Sequence, residues 1–339
     1  MTERVAATPG LYPLPDWAKE TLSDLKGHQK GDLLSGDESE AIVEQYDEVR
    51  AEYVDDQLDA GLGLISEGQG RWDDMIAHPL TVHDSVETGG IVRYYDNNNF
   101  YRDPRVVDDL GFSGDVAREL ESARELVATA DGAADASLAA TLPGPYSLAA
   151  LATDEHYGDE AEFLDAVADF LAGEVAEFPD VETLFLLEPS LATNPPGDGE
   201  DERASEAIDA VATAADADVV VFPYWDALEE KVYAHLLDAD VDAVGFDFVT
   251  RQDGHPYLIN EYGTTDDVAL GLVDGQNTLV ESPDSVRERV EWVENQTPVA
   301  DFDRIYVTPN SGLFYLPYDT FVEKLRVLGE ATARREVRA

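Results

Sequence analysis

The feature that most constrains this fold is a repeating alternation of short apolar segments with amphipathic helical segments. Each apolar segment ends in a polar residue, a glycine or a proline, and six of them lie at 137–142, 183–187, 218–222, 242–246, 268–273 and 305–307. Segments that are apolar throughout are typical of strands in a parallel sheet that is buried on both faces. The pattern therefore predicts an α/β fold built on a parallel sheet.

Two further candidate strands bring the total to eight. One lies near Leu11, and the other at 62–66 follows a predicted helix at 38–60. Eight strands in strict alternation with helices predict a single (β/α)8 TIM barrel that spans residues 1–339. An open doubly wound sheet is the alternative, although no GxGxxG or Walker sequence opens a helix in this chain.

Two segments interrupt the alternation. Residues 89–101 contain two short β-prone runs around a turn rich in Asp and Asn, which predicts a hairpin insertion after the second strand. Residues 194–203 are rich in Pro, Gly and acidic residues, and we expect a disorder-prone surface loop there. Because the strands continue at the same spacing on both sides of this loop, we predict no domain boundary in it.

The surface of this chain must be strongly acidic. Asp and Glu outnumber Lys and Arg by 73 to 22, which gives a formal net charge of −51, and the acids are spread along the whole chain. This distribution is expected of a halophilic protein, because concentrated salt screens the repulsion between like charges. It argues against binding to nucleic acid, which requires a basic face, and against binding to an anionic membrane surface.

The chain contains no cysteine, so it can form neither a disulfide nor a thiolate metal ligand. No stretch approaches the roughly 20 apolar residues of a membrane span, and the first residues do not resemble a leader, so we expect a soluble, cytoplasmic protein. We predict no bound metal, because the histidines lack the spacing of a compact ligand set: they are His28, His78, His83, His156, His235 and His255.

Acidic residues follow five of the predicted strands. In a parallel barrel the carboxyl ends of the strands meet at one mouth, where active sites lie. Carboxylates there can bind a metal or an amino group, or act as acid and base. In so acidic a chain single positions arise by frequency, so the set is more informative than its members: Glu67, Glu188, Asp226, Asp247 and Asp274.

Five segments, in order along the chain, resemble the cobalamin-independent methionine synthase family. GLYPLPDW at 10–17 is similar to the opening strand of that family, and LPGPY at 142–146 is similar to its Gly-Pro turn. LEPSL at 187–191 resembles DEPAL, and ALGLVDGQN at 269–277 resembles LGVVDGRN. VTPNSGLFYLP at 307–317 resembles both VNPDCGL and SCSLLHVP.

The resemblance implies a division of labour between two similar barrels. In that family the C-terminal barrel holds zinc through a His, two Cys and a Glu, and binds homocysteine, whereas the N-terminal barrel helps to hold the folate. Zinc favours the thiolate of homocysteine, which then attacks the methyl group of 5-methyltetrahydrofolate.

This chain departs from the zinc-bearing barrel at each of the corresponding positions. Tyr224, Asp247 and Ser311 stand where the resemblance places zinc ligands. Gln276 falls near the position of a general-acid histidine, and Leu187 replaces the aspartate that grips the amino acid. The resemblance is therefore closer to the N-terminal, zinc-lacking barrel.

The resemblance also implies contacts with the folate. Lys19 matches a lysine implicated in binding the folate tail, and the neighbouring cluster of Lys26, His28 and Lys30 would suit an anionic polyglutamate. The substrate-binding residues implied at the mouth, together with this lysine, are Lys19, Glu188, Asp247, Asp274, Asn277 and Ser311.

By resemblance, the chain is an S-methyltransferase of methionine biosynthesis and acts as the folate-side half. Zinc is then expected on a separate, homologous partner chain, with 5-methyltetrahydrofolate as donor and homocysteine as acceptor. Two alternatives remain open. One is a stand-alone corrinoid- or folate-linked methyltransferase, or a uroporphyrinogen-decarboxylase-like barrel supported only by Arg71 and Arg93. The other is a non-catalytic regulatory barrel.

Overall fold

A computed structural model describes residues 2–22, 38–93, 95 and 100–333 of the chain. Eight parallel strands form one sheet in the order β1-β11-β10-β9-β8-β7-β5-β2, and a second sheet has the order β3-β4-β6. The strands are β1 (Glu3–Ala6), β2 (Leu64–Ser66), β3 (Val86–Arg93), β4 (Phe100–Val106), β5 (Ser137–Pro143), β6 (Thr153–Asp154), β7 (Thr183–Leu187), β8 (Asp218–Phe222), β9 (Ala243–Asp247), β10 (Asp267–Val273) and β11 (Arg304–Pro309). This nearly closed parallel sheet confirms the predicted (β/α)8 barrel.

Helices alternate with the barrel strands and cover the outside of the sheet. Residues 16–22 are also helical. The helices with defined bounds are α1 (Glu40–Asp59), α2 (His78–Thr81), α3 (Asp115–Thr129), α4 (Pro145–Leu151), α5 (Glu160–Val175), α6 (Pro189–Thr193), α7 (Glu200–Thr213), α8 (Glu230–Leu236), α9 (Gly254–Tyr262), α10 (Pro283–Gln296) and α11 (Tyr318–Thr332).

The predicted position of the first strand was wrong. The strand β1 ends at Ala6, whereas Leu11 lies in the following loop with a φ of 61°. A positive φ removes a residue from the extended conformation of a strand. The backbone N–H of Leu11 instead donates to Oε1 of Gln69 at 2.7 Å, and the N–H of Tyr12 donates to the carbonyl of Gly68 at 2.9 Å. These bonds join the loops after β1 and β2, the two strands at the ends of the sheet order.

Large aromatic rings fill the inside of the barrel. Phe185 on β7 contacts Phe222 on β8 and Tyr306 on β11, with ring centroids 6.5 Å and 6.1 Å apart. Gly245 on β9 makes room for this layer, because a Cβ there would lie 1.9 Å from the ring of Phe222. The interior is thus a packed core and not a pore, and ligands must bind at the ends of the strands.

Two segments lie outside the simple repeat. Between β2 and β5, the strand β3 pairs antiparallel with β4, with one extra residue in β3 between Thr88 and Ile91. The predicted loop at 194–203 is shorter than expected, because α7 begins at Glu200 and its last four residues are helical. Three acidic residues in the first turn of α7 favour this earlier start.

Within the part of the chain that the structure describes, none of the helices combines the length and the apolar character that crossing a bilayer requires.

Candidate functional site

Asp247, the last residue of β9, connects three of the loops at the mouth of the barrel. Its side chain is fully buried and accepts four hydrogen bonds. Oδ2 accepts from the backbone N–H of Trp225 at 2.9 Å and from Nδ2 of Asn310 at 3.1 Å. Oδ1 accepts from the backbone N–H groups of Val249 and Thr250 at 3.0 and 2.8 Å. The carboxylate therefore holds the loops after β8, β9 and β11 together.

Glu188, the residue after β7, is a second fully buried carboxylate at the mouth. It reaches across to the start of α4, where Oε1 accepts from the N–H of Tyr146 at 2.9 Å. Oε2 accepts from the N–H and the Oγ–H of Ser147 at 2.8 and 2.6 Å. These bonds favour the charged form, but burial outweighs them and raises the pKa of Glu188 to about 7.

The close contact between Glu188 and α4 depends on a glycine. A Cβ at Gly144 would lie 2.2 Å from the carboxyl group of Glu188. The side chain of Ser147 is also fixed, because its Oγ accepts from the N–H of Ser190 at 3.0 Å. The sequence LPGPY at 142–146, which resembles a family turn, thus provides the space in which Glu188 caps the helix.

Aromatic residues surround this carboxylate. The hydroxyls of Tyr95 and Ser190 lie 2.7 Å apart, and the ring of Tyr95 packs edge-on against Trp225 with centroids 5.2 Å apart. Both Tyr95 and Trp225 have a positive φ, of 54° and 73°. Such strain is often concentrated at functional sites. The buried hydroxyl of Tyr224 has no hydrogen-bond partner among the described residues, which marks a place for a polar ligand atom or a water.

Ser311 lies at the mouth but is fully buried. Its Oγ is 3.4 Å from the carbonyl of Gly312, and a Cβ on Gly275 would lie 2.9 Å from the same Oγ. The neighbouring Asn310 accepts from the N–H of Gly275 at 2.9 Å while its amide donates to Asp247. Ser311 therefore packs the loop after β11 against the loop after β10.

Asp274 and Asn277 form a turn after β10. Oδ1 of Asp274 accepts from the N–H groups of Gln276 and Asn277 at 2.9 and 3.1 Å. The side chain of Asn277 is exposed, and its Oδ1 accepts from the N–H of Leu279 at 2.9 Å. Both residues line a cavity of about 280 Å³.

Lys19 lies on the helical segment after β1. Its Nζ donates to Oδ1 of Asp16 at 2.6 Å, and the side chain is 39% exposed. The adjoining basic residues Lys26, His28 and Lys30, which we predicted to meet an anionic tail, lie outside the described residues. The link between Lys19 and a folate therefore stays a prediction.

The two remaining strand-end acids have cationic partners. Glu67 after β2 is buried 3.5 Å from Nε of Arg50, and burial raises its pKa to about 7. Asp226 after β8 pairs with Arg251 at 2.7 Å on the surface. Of the sequence-predicted residues, the structure connects Asp247 to the Ser311 loop through Asn310. It places Glu188 beside Tyr95, a residue that the sequence pattern did not indicate.

The residues at the mouth do not fit the zinc site of the family. Tyr224 and Ser311 offer hydroxyls in place of the thiolate and imidazole ligands that zinc prefers. Both oxygens of Asp247 already accept hydrogen bonds from the protein. The buried His255 directs Nε2 to the Asp247 carbonyl at 3.1 Å and not to its carboxylate, and burial lowers the pKa of this imidazole.

A different group of potential metal ligands lies on the surface. The carboxylates of Asp108 and Asp109, after β4, and the imidazole of His156, after β6, have ligand atoms within 4.8 Å of one another. All three residues are exposed, and Nε2 of His156 already lies 2.9 Å from Oδ1 of Asp109. A hydrogen bond between Asp109 and His156 accounts for this arrangement.

The fold and the site define a class: a (β/α)8-barrel protein whose mouth is closed by buried carboxylates and aromatic side chains. A family model described as "Cobalamin-independent synthase, N-terminal domain" matches residues 82–298, which is more than half of the chain. The chain belongs to the cobalamin-independent methionine synthase family, as the five sequence segments predicted.

The relatives agree with this assignment, and a solved structure shares the fold. A methionine synthase of Saccharolobus islandicus is 22% identical over 327 residues, covering 95% of this chain and 92% of the relative. One of Sulfolobus acidocaldarius is 23% identical, covering 97% and 92%. The B12-independent methionine synthase of a Shewanella species, solved with selenomethionine, superimposes with a TM-score of 0.76 at 17% identity, covering 97% and 96%. This last likeness shows the fold.

Proposed function

We propose that this chain is the folate-side half of a two-chain methionine synthase. The pair transfers a methyl group from 5-methyltetrahydrofolate, carrying a polyglutamate tail, to homocysteine. The zinc that activates the thiol belongs to a separate, homologous chain. In this division the present chain positions the folate and closes the site, and Lys19 contacts the tail.

One observation supports the proposal: the mouth keeps the barrel architecture of the family, but its described residues offer none of the thiolate or free imidazole ligands of a zinc site. Asp247 is saturated by four hydrogen bonds, and Ser311 is packed against Gly275. A thiol bound here would remain largely protonated at neutral pH, because no metal would stabilise its thiolate. Thiol activation must then come from elsewhere.

The mouth nevertheless supports ligand binding. The hydroxyl of Tyr224, which has no hydrogen-bond partner among the described residues, presents a donor, and the ring of Trp225 presents an apolar face. Glu188 adds a carboxyl group that titrates near neutrality. Aromatic faces with a few convergent polar groups are typical of small-molecule sites. A flat heterocycle with polar edges, such as the pterin of a folate, suits this combination.

A reconstitution experiment tests the proposal. The purified chain is assayed for methyl transfer from the triglutamate donor to homocysteine, alone and with the cysteine-bearing homologue, and its zinc content is measured by atomic emission. We expect activity only with both chains and less than stoichiometric zinc on this one. Methyl transfer by this chain alone with one zinc per chain would overturn the proposal.

The same assay tests the role of Lys19. In the reconstituted pair, Lys19→Ala should raise KM for the triglutamate donor with little change in kcat, because the tail does not take part in the chemistry. A matched control is Lys231→Ala, which removes another exposed lysine on α8. An equal effect of the two variants, or an equal rise in KM for the monoglutamate, would contradict a tail contact.

The relatives favour one alternative. The match covers 92% of the length of the methionine synthases from Saccharolobus islandicus and Sulfolobus acidocaldarius. Proteins named methionine synthase can therefore be as short as a single barrel. A stand-alone methyltransferase is therefore the second candidate. It predicts turnover by the isolated chain with a different methyl donor, such as a methylated corrinoid protein, and the single-chain arm of the experiment detects it.

A further inference from the structure

A cavity of about 280 Å³ lies beside the mouth, between the loop after β9 and the helix α10. Phe248, Leu272, Leu279 and Trp292 form its apolar walls. The rings of Phe248 and Trp292 meet edge to face with centroids 6.1 Å apart. Leu279, which is 73% exposed, lies on its wall. The volume is near the lower end of small-molecule sites, at roughly 300 Å³, so the cavity suits a compact flat ligand.

The acidic residues on the wall already have partners. Asp274 accepts from the backbone N–H groups of Gln276 and Asn277. Glu281 accepts from the N–H of Asp274 at 2.8 Å and pairs with Nζ of Lys324 at 2.8 Å. The ammonium of Lys324 therefore offsets the charge of Glu281, and the Asp274 carboxylate is stabilised by its own turn.

Arg289 is a cationic residue on the wall of the cavity, and its guanidinium has no carboxylate partner among the described residues. Its Nη1 donates to the carbonyl of Leu272, which holds the guanidinium at the cavity. No carboxylate oxygen of the described residues lies within 4.0 Å of this guanidinium. Most arginines in the described part of this acidic chain pair with a carboxylate, and Arg289 is one of the few that do not. Its remaining donors form the fork that binds a planar carboxylate in a bidentate manner.

We propose that this cavity binds a small aromatic carboxylate. The ring lies against Phe248 and Trp292, the carboxylate meets the free edge of Arg289, and the amide of Asn277 offers a further hydrogen bond. The proposal uses none of Lys19, Glu188 and Asp247. It shares Asn277 with the mouth residues that the resemblance implies, but Arg289 and Trp292 belong to this cavity alone, so variants at these two residues test it separately from methyl transfer.

Calorimetric titration in concentrated KCl tests the proposal with defined probes. Benzoate and indole-3-carboxylate carry the carboxylate, and benzamide has nearly the shape of benzoate without its charge. We expect saturable binding of both carboxylates with dissociation constants of about 1 mM or lower. Benzamide should bind about tenfold more weakly, because the charge-assisted bonds to Arg289 are lost.

Variants locate the site. Arg289→Gln should weaken benzoate binding about tenfold and leave benzamide binding unchanged, whereas Trp292→Leu should weaken both. The matched control is Arg203→Gln, because Arg203 also lacks an ion pair among the described residues and lines a different cavity. Thermal unfolding of each variant verifies that it is folded.

Three results would overturn the proposal. The first is the absence of saturable binding of either carboxylate up to about 10 mM. The second is equal affinity of the wild-type protein for benzoate and benzamide, a comparison that does not depend on the folding of any variant. The third is an equal loss of benzoate binding in Arg203→Gln and Arg289→Gln.

Discussion

Burial and hydrogen bonding compete at the carboxyl group of Glu188. Three donors from Tyr146 and Ser147 stabilise its anion, yet complete burial still raises the pKa to about 7. Glu188 therefore changes its charge in the neutral range, near the hydroxyl of Tyr224, which has no hydrogen-bond partner in the described part of the chain. A group with this property can bind either a donor or an acceptor, depending on pH.

The raised pKa of Glu188 predicts a pH dependence of stability. Between about pH 4.5 and pH 7 the folded state holds a proton that the unfolded state has lost, so the free energy of unfolding falls as pH rises. The contribution of this carboxyl group is about 3 kcal/mol over the window. In Glu188→Gln this part of the fall should disappear, whereas the part due to Glu67, whose pKa burial also raises to about 7, should remain. Urea unfolding at fixed salt from pH 5 to 8 measures the difference between the two proteins.

A surface variant separates this effect from the general charge repulsion. Glu177→Gln removes an exposed carboxylate, and its profile should run parallel to that of the wild type. If the profiles of Glu188→Gln and the wild type were parallel instead, the carboxyl group of Glu188 would not be protonated by burial in the folded state.

Whether an element could be predicted from the sequence depended on where its partners lie. The strands β7 and β8 are apolar because the sheet is covered on both faces, so their positions can be predicted from the local sequence alone. The strand β1 does not, since it begins with Glu3 and Arg4. Their charges are satisfied by Arg304 and Glu294, nearly 300 residues away. No local pattern reveals such pairs.

The site was predictable to the same limited extent. Glu188 and Asp247 follow apolar strands, and the strand rule places both at the mouth. Tyr95 and Asn310 were missed, because their roles depend on contacts across the barrel: Tyr95 comes from the β3–β4 insertion, and Asn310 bonds Asp247. A motif records which residues are present, whereas the hydrogen bonds that occupy Asp247 appear only in three dimensions.

Lys324 joins the helix α11 to the loop after β10. It is fully buried, and its Nζ donates to Oε2 of Glu281 at 2.8 Å and to the carbonyl of Leu279 at 2.7 Å. In Lys324→Met the Glu281 carboxylate, whose side chain is 9% exposed, loses its cation. We expect the free energy of unfolding to fall by about 3 kcal/mol or more, measured by urea unfolding in concentrated salt.

An exposed pair provides the comparison. Arg4 pairs with Glu294 at 3.0 Å, and both side chains are about 30% exposed, at 28% and 33%. Arg4→Met should cost under about 1 kcal/mol. The double variant Lys324→Met with Glu281→Leu should recover part of the loss, because no unpaired charge stays buried. Equal losses in Lys324→Met and Arg4→Met would show that burial does not strengthen the internal pair.

At the scale of the whole molecule, burial of the apolar barrel core stabilises the fold, whereas repulsion between the acidic surface residues destabilises it. The core layer of Phe185, Phe222 and Tyr306 is independent of charge, whereas the formal net charge of −51 is spread over the chain. Repulsion between surface charges extends over about 10 Å at 0.1 M salt and about 3 Å at 1 M. The ionic strength therefore determines how far surface repulsion reduces the stability that the core provides.

This balance predicts that the protein is stabilised by salt through screening. The thermal midpoint should rise steeply between about 0.1 and 1 M KCl and then level off, because the screening length changes little above that range. Sucrose at the same osmolality is the control, since it is excluded from the surface and favours burial but does not screen charge. We expect it to raise the midpoint far less. Equal rises in KCl and sucrose, measured by differential scanning calorimetry, would mean that the acidic surface does not limit the stability of the barrel.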